Sequence, residues 1–165
     1  MSGNSIEPDF KPLIEDNIGI ITKICRVYAD NQEDFDDYFQ EVTLQLWKSY
    51  KNFRGKSSLS TWVYRVALNV CLLQIKKKKR NIIVLTDQLP TSWYEEATNE
   101  KEEMVQYLYA SIRKLKKDDR AVIFLFLEDK SYQEISEILG ITVSNVGVKL
   151  NRIKQRLKEM MNGRA

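Results

Sequence analysis

Apolar residues recur along this chain at intervals of three and four rather than two. Ile14, Ile18, Ile21, Cys25 and Tyr28 keep that spacing, with Pro12 suited to a helix start, and so do Phe35, Phe39, Val42, Leu46 and Tyr50. Leu59, Trp62, Val66, Val70 and Leu73 predict a third helix, for which Ser57 or Ser58 can serve as N-cap. Three amphipathic helices with short connections can bury one common core. The spacing is lost over 81–100, NIIVLTDQLPTSWYEEATNE, which holds a proline and no basic residue and reads as a linker, with Ile82 to Leu85 able to form a short strand. Helical spacing then returns in Met104, Leu108, Ile112 and Leu115, in the apolar run Ala121 to Leu127, in Tyr132, Ile135, Ile138 and Leu139, and in Val146, Leu150, Ile153, Leu157 and Met161. The expectation is an all-α chain of two small helical domains, 1–80 and 101–165, joined by the linker 81–100.

The second domain is expected to contain a helix-turn-helix. Ile138 and Leu139 close one short helix, Gly140 can take the left-handed conformation that ends it, and Thr142 can cap the next. At about 100° per residue, Val146, Leu150, Ile153 and Leu157 fall on an inward arc of the last helix. Ser144, Asn145, Val148, Asn151, Arg152 and Gln155 fall on the outward arc. Amide and guanidinium groups pair with purine edges, and an exposed valine can meet a thymine methyl. Gly147, costly inside a helix, is explained by close approach of the backbone to DNA. From Ile141 to Ala165, six bases face one acid, a net of +5 that phosphate would attract through counterion release.

Composition narrows the chemistry. The 165 residues carry a net charge of +3 and no histidine, which removes Ser-His and Cys-His catalysis and every His-ligated zinc site. Cys25 and Cys71 form no Cys-x-x-Cys pair and no disulfide framework, as suits a reducing cytoplasm. The longest apolar run, Ala121 to Leu127, is too short to span a bilayer, and the N-terminus shows no signal pattern, so a cytoplasmic protein without membrane insertion is expected.

Charge is unevenly distributed. Asp30, Glu33, Asp34, Asp36, Asp37 and Glu41 are six acids in twelve residues with no base among them. Most lie at or before a helix start, where the macrodipole favours them, and they offer a docking face for a basic partner more readily than a metal site. The third helix ends in five consecutive cations, Lys76 to Arg80, more than a C-terminal cap requires. Before it, SYKNFRGKSSLSTW mixes Tyr50, Phe53 and Trp62 with Arg54, Lys56 and Gly55. Cations and aromatics together suit single-stranded DNA, although Trp62 on the inward stripe reads as core.

Taken together, these blocks resemble a bacterial RNA polymerase sigma factor of the small extracytoplasmic-function type. DYFQEVTLQLW, Asp37 to Trp47, is similar to the family's core-binding helix, D-L-x-Q-E-x-F-x-x-x-W. FRGKSSLSTWVYRVALNV resembles the segment that captures and melts the minus-ten element, and SYQEISEILGITVSNVGVKLNRIKQRL resembles the helix-turn-helix that reads the minus-thirty-five element. The resemblance implies binding of core RNA polymerase through Asp37, Gln40, Glu41 and Leu44. It implies minus-ten contacts by Phe53, Arg54, Gly55, Lys56, Ser57, Ser58, Asn69, Lys76, Lys77 and Arg80. Upstream contacts fall to Ser144, Asn145, Val148, Lys149, Asn151 and Arg152. Partners would be core polymerase, promoter DNA as duplex and melted strand, and an anti-sigma factor; no metal, no cofactor and no catalytic residue is implied. The chain departs from the family at Leu73, where an aspartate is frequent, and at Gly147, where a base is common. A duplex-binding regulator would account for residues 131–158 but leave the acidic helix and the Phe53 loop unused. A carboxylate-metal nuclease would use the acids, but the chain has no histidine to join them and most of them lie at or before a helix start.

Overall fold

The structure, a computed structural model, describes residues 10–81 and 99–163, the side chains of 79–81 excepted. The described residues fold into seven helices and no strand: α1 (Phe10–Tyr28), α2 (Gln32–Tyr50), α3 (Leu59–Asn81), α4 (Glu100–Arg113), α5 (Lys117–Leu127), α6 (Tyr132–Leu139) and α7 (Val143–Asn162). The expected all-α architecture is therefore observed, while the Ile82 to Leu85 strand and most of the linker lie outside the described residues.

Local chemistry sets the helix ends. Pro12 sits in the first turn of α1, where its missing N–H costs nothing. Asn31 caps α2 by accepting from the Asp34 N–H at 2.8 Å, and Asn99 caps α4 by accepting from Glu102 at 2.9 Å. Ser131 and Glu134 close a capping box at the start of α6. Gly140 ends α6 at φ 69°, which a side chain would strain, and Thr142 caps α7 by accepting from the Asn145 N–H at 3.1 Å. The predicted helix-turn-helix is thus built from the residues its sequence singled out.

Helices α1, α2 and α3 pack around Leu13, Ile21, Ile24, Cys25, Tyr38, Val42, Leu46, Val63, Ala67, Leu68 and Cys71. In α1 and α3 the buried face differs from the simple stripe. Ile18 is 49% exposed and Leu73 55%, while Val63, Tyr64, Ala67 and Leu68 are buried in their place. The reason is that α3 is covered by α1 and α2 on one side and by α6 on another, so its apolar residues form no single arc. In the second group, α4 to α7 close over Ile112, Leu115, the Ala121–Leu125 run, Ile135, Ile138 and the four predicted residues of α7.

The two groups also meet. Glu128, just past α5, accepts from Lys23 Nζ at 3.1 Å and from the Tyr64 hydroxyl at 3.2 Å. Tyr28 donates its hydroxyl to the Lys117 carbonyl at 2.8 Å, and Arg65 on α3 donates to the Glu137 carbonyl on α6 at 2.6 Å. Arg113 reaches the Ala29 carbonyl and Asp30. Lys130 stands 4.9 Å from the Tyr64 ring centroid, and the buried residues of both groups form one continuous apolar cluster.

Inside and outside of α7 should separate on mutation. Leu150→Ala is expected to cost about 2–5 kcal/mol in urea unfolding, whereas Val148→Ala, at a position 66% exposed, should stay within about 0.5 kcal/mol.

Candidate functional site

Three surfaces carry the residues marked by the sequence. The first lies on α2. Asp37 and Gln40 are exposed, Leu44 is half exposed, and Glu41 is half-buried and accepts from Gln45 Nε2 at 3.2 Å. Gln40, Thr43, Leu44 and Trp47 line an open apolar groove of about 430 Å³, with Phe39 and Phe10 of α1 completing the wall. Trp47, 45% exposed, is a large aromatic with no core role, and the 3–4–3 spacing of positions 37, 40, 44 and 47 already places it beside the predicted docking residues. Phe10 carries no such signal, because it comes from another helix.

The second surface combines the loop before α3 with the outward face of that helix. Arg54, Gly55 and Lys56 are exposed, and Gly55 adopts φ 70°, which lets the loop reverse without a Cβ penalty. Phe53 is not a free ring: its centroid lies 5.2 Å from Trp62, which also meets Tyr50 at 6.1 Å. Ser58 is engaged as the N-cap of α3, accepting from the Thr61 N–H at 3.2 Å, and Ser57 donates to the Ser58 carbonyl at 3.3 Å. Along α3, Arg65, Asn69, Leu73, Lys76 and Lys77 are exposed. Lys78 differs from its neighbours, since its ammonium pairs with Asp34 and with Asp30 at 3.8 Å. That pairing accounts for part of the acidic cluster and part of the basic run at once. The Arg80 side chain lies outside the described residues.

The third surface is α7. Ser144, Asn145, Val148, Asn151, Arg152 and Gln155 are exposed, as the angular division predicts, and Lys149 is half-buried. Arg152 also donates to Asp119 of α5 at 3.0 Å, a partner the sequence did not reveal. Gly147 faces Tyr132 of α6: a Cβ there would lie 3.7 Å from the ring, an ordinary contact. Packing within the chain therefore does not require glycine at this position.

Cys25 and Cys71, distant in sequence, meet between α1 and α3. Hydrogen bonding to Cys25 and then burial push the Cys71 thiol up, and both cysteines are buried in the core. Among the described residues, no three His, Cys, Asp or Glu side chains are grouped to hold a metal, and no helix is long and apolar enough to cross a membrane.

Comparison with known proteins assigns both groups of helices. Residues 13–81 match the family model Sigma-70 region 2, and residues 106–157 match Sigma-70, region 4. The chain therefore belongs to the sigma-70 family and is of the extracytoplasmic-function type. It is 27% identical over 162 residues to the ECF RNA polymerase sigma factor SigG of Mycobacterium tuberculosis, covering 81% of this chain and 44% of that protein. It is 25% identical to ECF RNA polymerase sigma factor SigW of Bacillus subtilis, covering 86% of this chain and 82% of SigW. The chain thus spans less than half the length of the first of these relatives. Its fold is that of CnrH, solved in complex with the cytosolic domain of CnrY (TM-score 0.68, 17% identity, 94% of this chain and 89% of that one). It is also that of the sigma factor RpoE of Bartonella quintana, solved with the anti-sigma factor NepR (TM-score 0.72, 18% identity, 93% and 97%).

The cap assignment separates the two serines before α3. Ser58→Ala should lower stability by about 1 kcal/mol, and Ser57→Ala by no more than about 0.5 kcal/mol, both read from chemical denaturation.

Proposed function

We propose that this chain binds core RNA polymerase, directs it to specific promoters and helps open the DNA for initiation, without itself catalysing a reaction. The observation that carries the reading is the co-occurrence, in family order, of an exposed apolar docking groove on α2 and an exposed base-reading face on α7. Residues 1–80 form the polymerase-binding and minus-ten unit, 81–100 the connection, and 101–165 the upstream-reading unit.

Each surface has the chemistry its task needs. The groove takes an apolar anchor of the polymerase, while Gln40 in its wall and the exposed Asp37, one turn earlier on α2, supply polar specificity. The α7 helix enters the major groove, where Asn145 and Arg152 meet purine edges and Lys149 a phosphate. Arg54, Gly55 and Lys56 receive a base extruded from the minus-ten element, with Asn69 on the adjoining helix face. Strand opening then follows from tighter binding to the melted state than to the duplex. The protein works in the cytoplasm, and an anti-sigma factor is its expected regulator.

Run-off transcription with core polymerase tests the assignment. Gln40→Ala and Leu44→Ala should weaken association with core about tenfold. Asn145→Ala should leave core affinity intact and lose about tenfold in upstream-element discrimination. Initiation at wild-type rates by all three, or strong promoter footprints by the chain without polymerase, would contradict the proposal.

The basic run should also divide. Lys76→Ala and Lys77→Ala should each reduce the salt dependence of promoter binding by about 0.7–0.9 in log–log slope. Lys78→Ala should change it by much less, because Asp34 and Asp30 already neutralise that ammonium. Equal slopes for the three variants would remove the distinction.

A further inference from the structure

Arg152 stands on the outward face of α7 with its side chain 61% exposed, yet its guanidinium is held. Nη2 donates to Oδ1 of Asp119 at 3.0 Å, and the Asp119 side chain is only 13% exposed. The pair is therefore asymmetric, a buried acid on α5 restraining an exposed base on α7. As a mere fastening it contributes little, because solvent screens the exposed partner. Its geometric effect is larger. Arginine is a long side chain with several rotamers, and one fixed hydrogen bond leaves the rest of its planar donor fork pointing in a set direction.

That direction matters because of what lies along α7. Asn145, Val148, Arg152 and Gln155 follow one another at intervals of three, four and three, a single outward stripe that is exposed throughout. Among the described residues no carboxylate holds Lys149 or Arg156, the cations one turn to either side of Arg152. The chain thus supplies free cations that suit phosphate, which accepts a point charge from many directions, and one restrained guanidinium. The Asp119–Arg152 pair is also neutral as a unit, so it releases few counterions when DNA binds.

We propose that Asp119 is a positioning residue for promoter reading. It fixes Arg152 so that the free edge of the guanidinium meets a guanine in the upstream element, making Arg152 a base reader rather than a phosphate contact. The proposal rests on the assignment of the α7 face to that element. Asp119 acts through Arg152 and does not touch DNA itself. The cost of ordering Arg152 is met on folding rather than on binding.

The test uses the full chain with core RNA polymerase on promoters whose upstream element is randomised, at several salt concentrations. Arg152→Ala should lose about tenfold discrimination at one or two adjacent base pairs. Asp119→Ala should lose it at the same base pairs, and the double variant should be no worse than Arg152→Ala alone. Asp119→Asn keeps an acceptor and should lose less than about threefold; it also carries the test if Asp119→Ala does not fold. The salt slope should stay near the wild-type value for Arg152→Ala, whose charge is already neutralised in the pair, and should not fall for Asp119→Ala or Asp119→Asn, which uncover the guanidinium. An Asp119→Ala protein with the wild-type base profile and only a lowered melting temperature would overturn the proposal. So would a uniform loss over all sequences with the slope for Arg152→Ala reduced by about 0.9, which marks a phosphate contact. A wild-type chain indifferent to the upstream element would instead remove the functional reading beneath it.

Discussion

Helix α7 has one way to sit down. Val146, Leu150, Ile153 and Leu157 are all buried, and together they fix the rotation of the helix about its own axis. Once that rotation is set, the identity of every side chain shown to solvent follows. A slip by one residue would bury Asn151 or Asn145, at the cost of an unpaired amide in an apolar setting. The short α6 and the turn at Gly140 hold the start of α7, while α4 and α5 back its length. The role proposed for α7 calls for this kind of rigid seat, because base-edge contacts tolerate little angular error.

Charge is organised on the same principle of one group constraining another. The acids at the start of α2 favour their own helix dipole, and two of them also hold Lys78. Asp30 is shared further with Arg113 of α4, so a single carboxylate lies between the end of α3 and the second group of helices. The basic run is in consequence not a uniform patch. Lys76 and Lys77 remain exposed while Lys78 is tied inward. The same division holds on α7, where Arg152 is anchored and Lys154 lies 4.0 Å from the Phe126 ring centroid.

Much of this was legible in the chain. The helix-turn-helix could be read residue by residue, since a glycine C-cap, a threonine N-cap and a 3.6-residue apolar period are local properties. The capping box of Ser131 and Glu134 has an equally local signature. The period misled in α1 and α3, where Ile18 and Leu73 were expected inside and are exposed, because a helix packed on several sides no longer shows one stripe. Contacts across long sequence distances carried no pattern at all. Cys25 with Cys71, Phe10 over the α2 groove, and Asp119 with Arg152 join residues that only the fold brings together. The exposed faces proposed for function were thus more readable than the partners that steady them.

Glu128 is held by Lys23 of α1 and Tyr64 of α3 at the same time, while it belongs to the other group of helices. Hinging the groups apart would strip both donors from one carboxylate in a single movement, with the Arg65–Glu137 and Tyr28–Lys117 bonds breaking alongside. Intermediate openings would retain neither the old contacts nor full hydration of the acid. Parting of the two halves should therefore behave as a latch with two positions rather than as a spring, and whatever grasps one half inherits a say in the posture of the other.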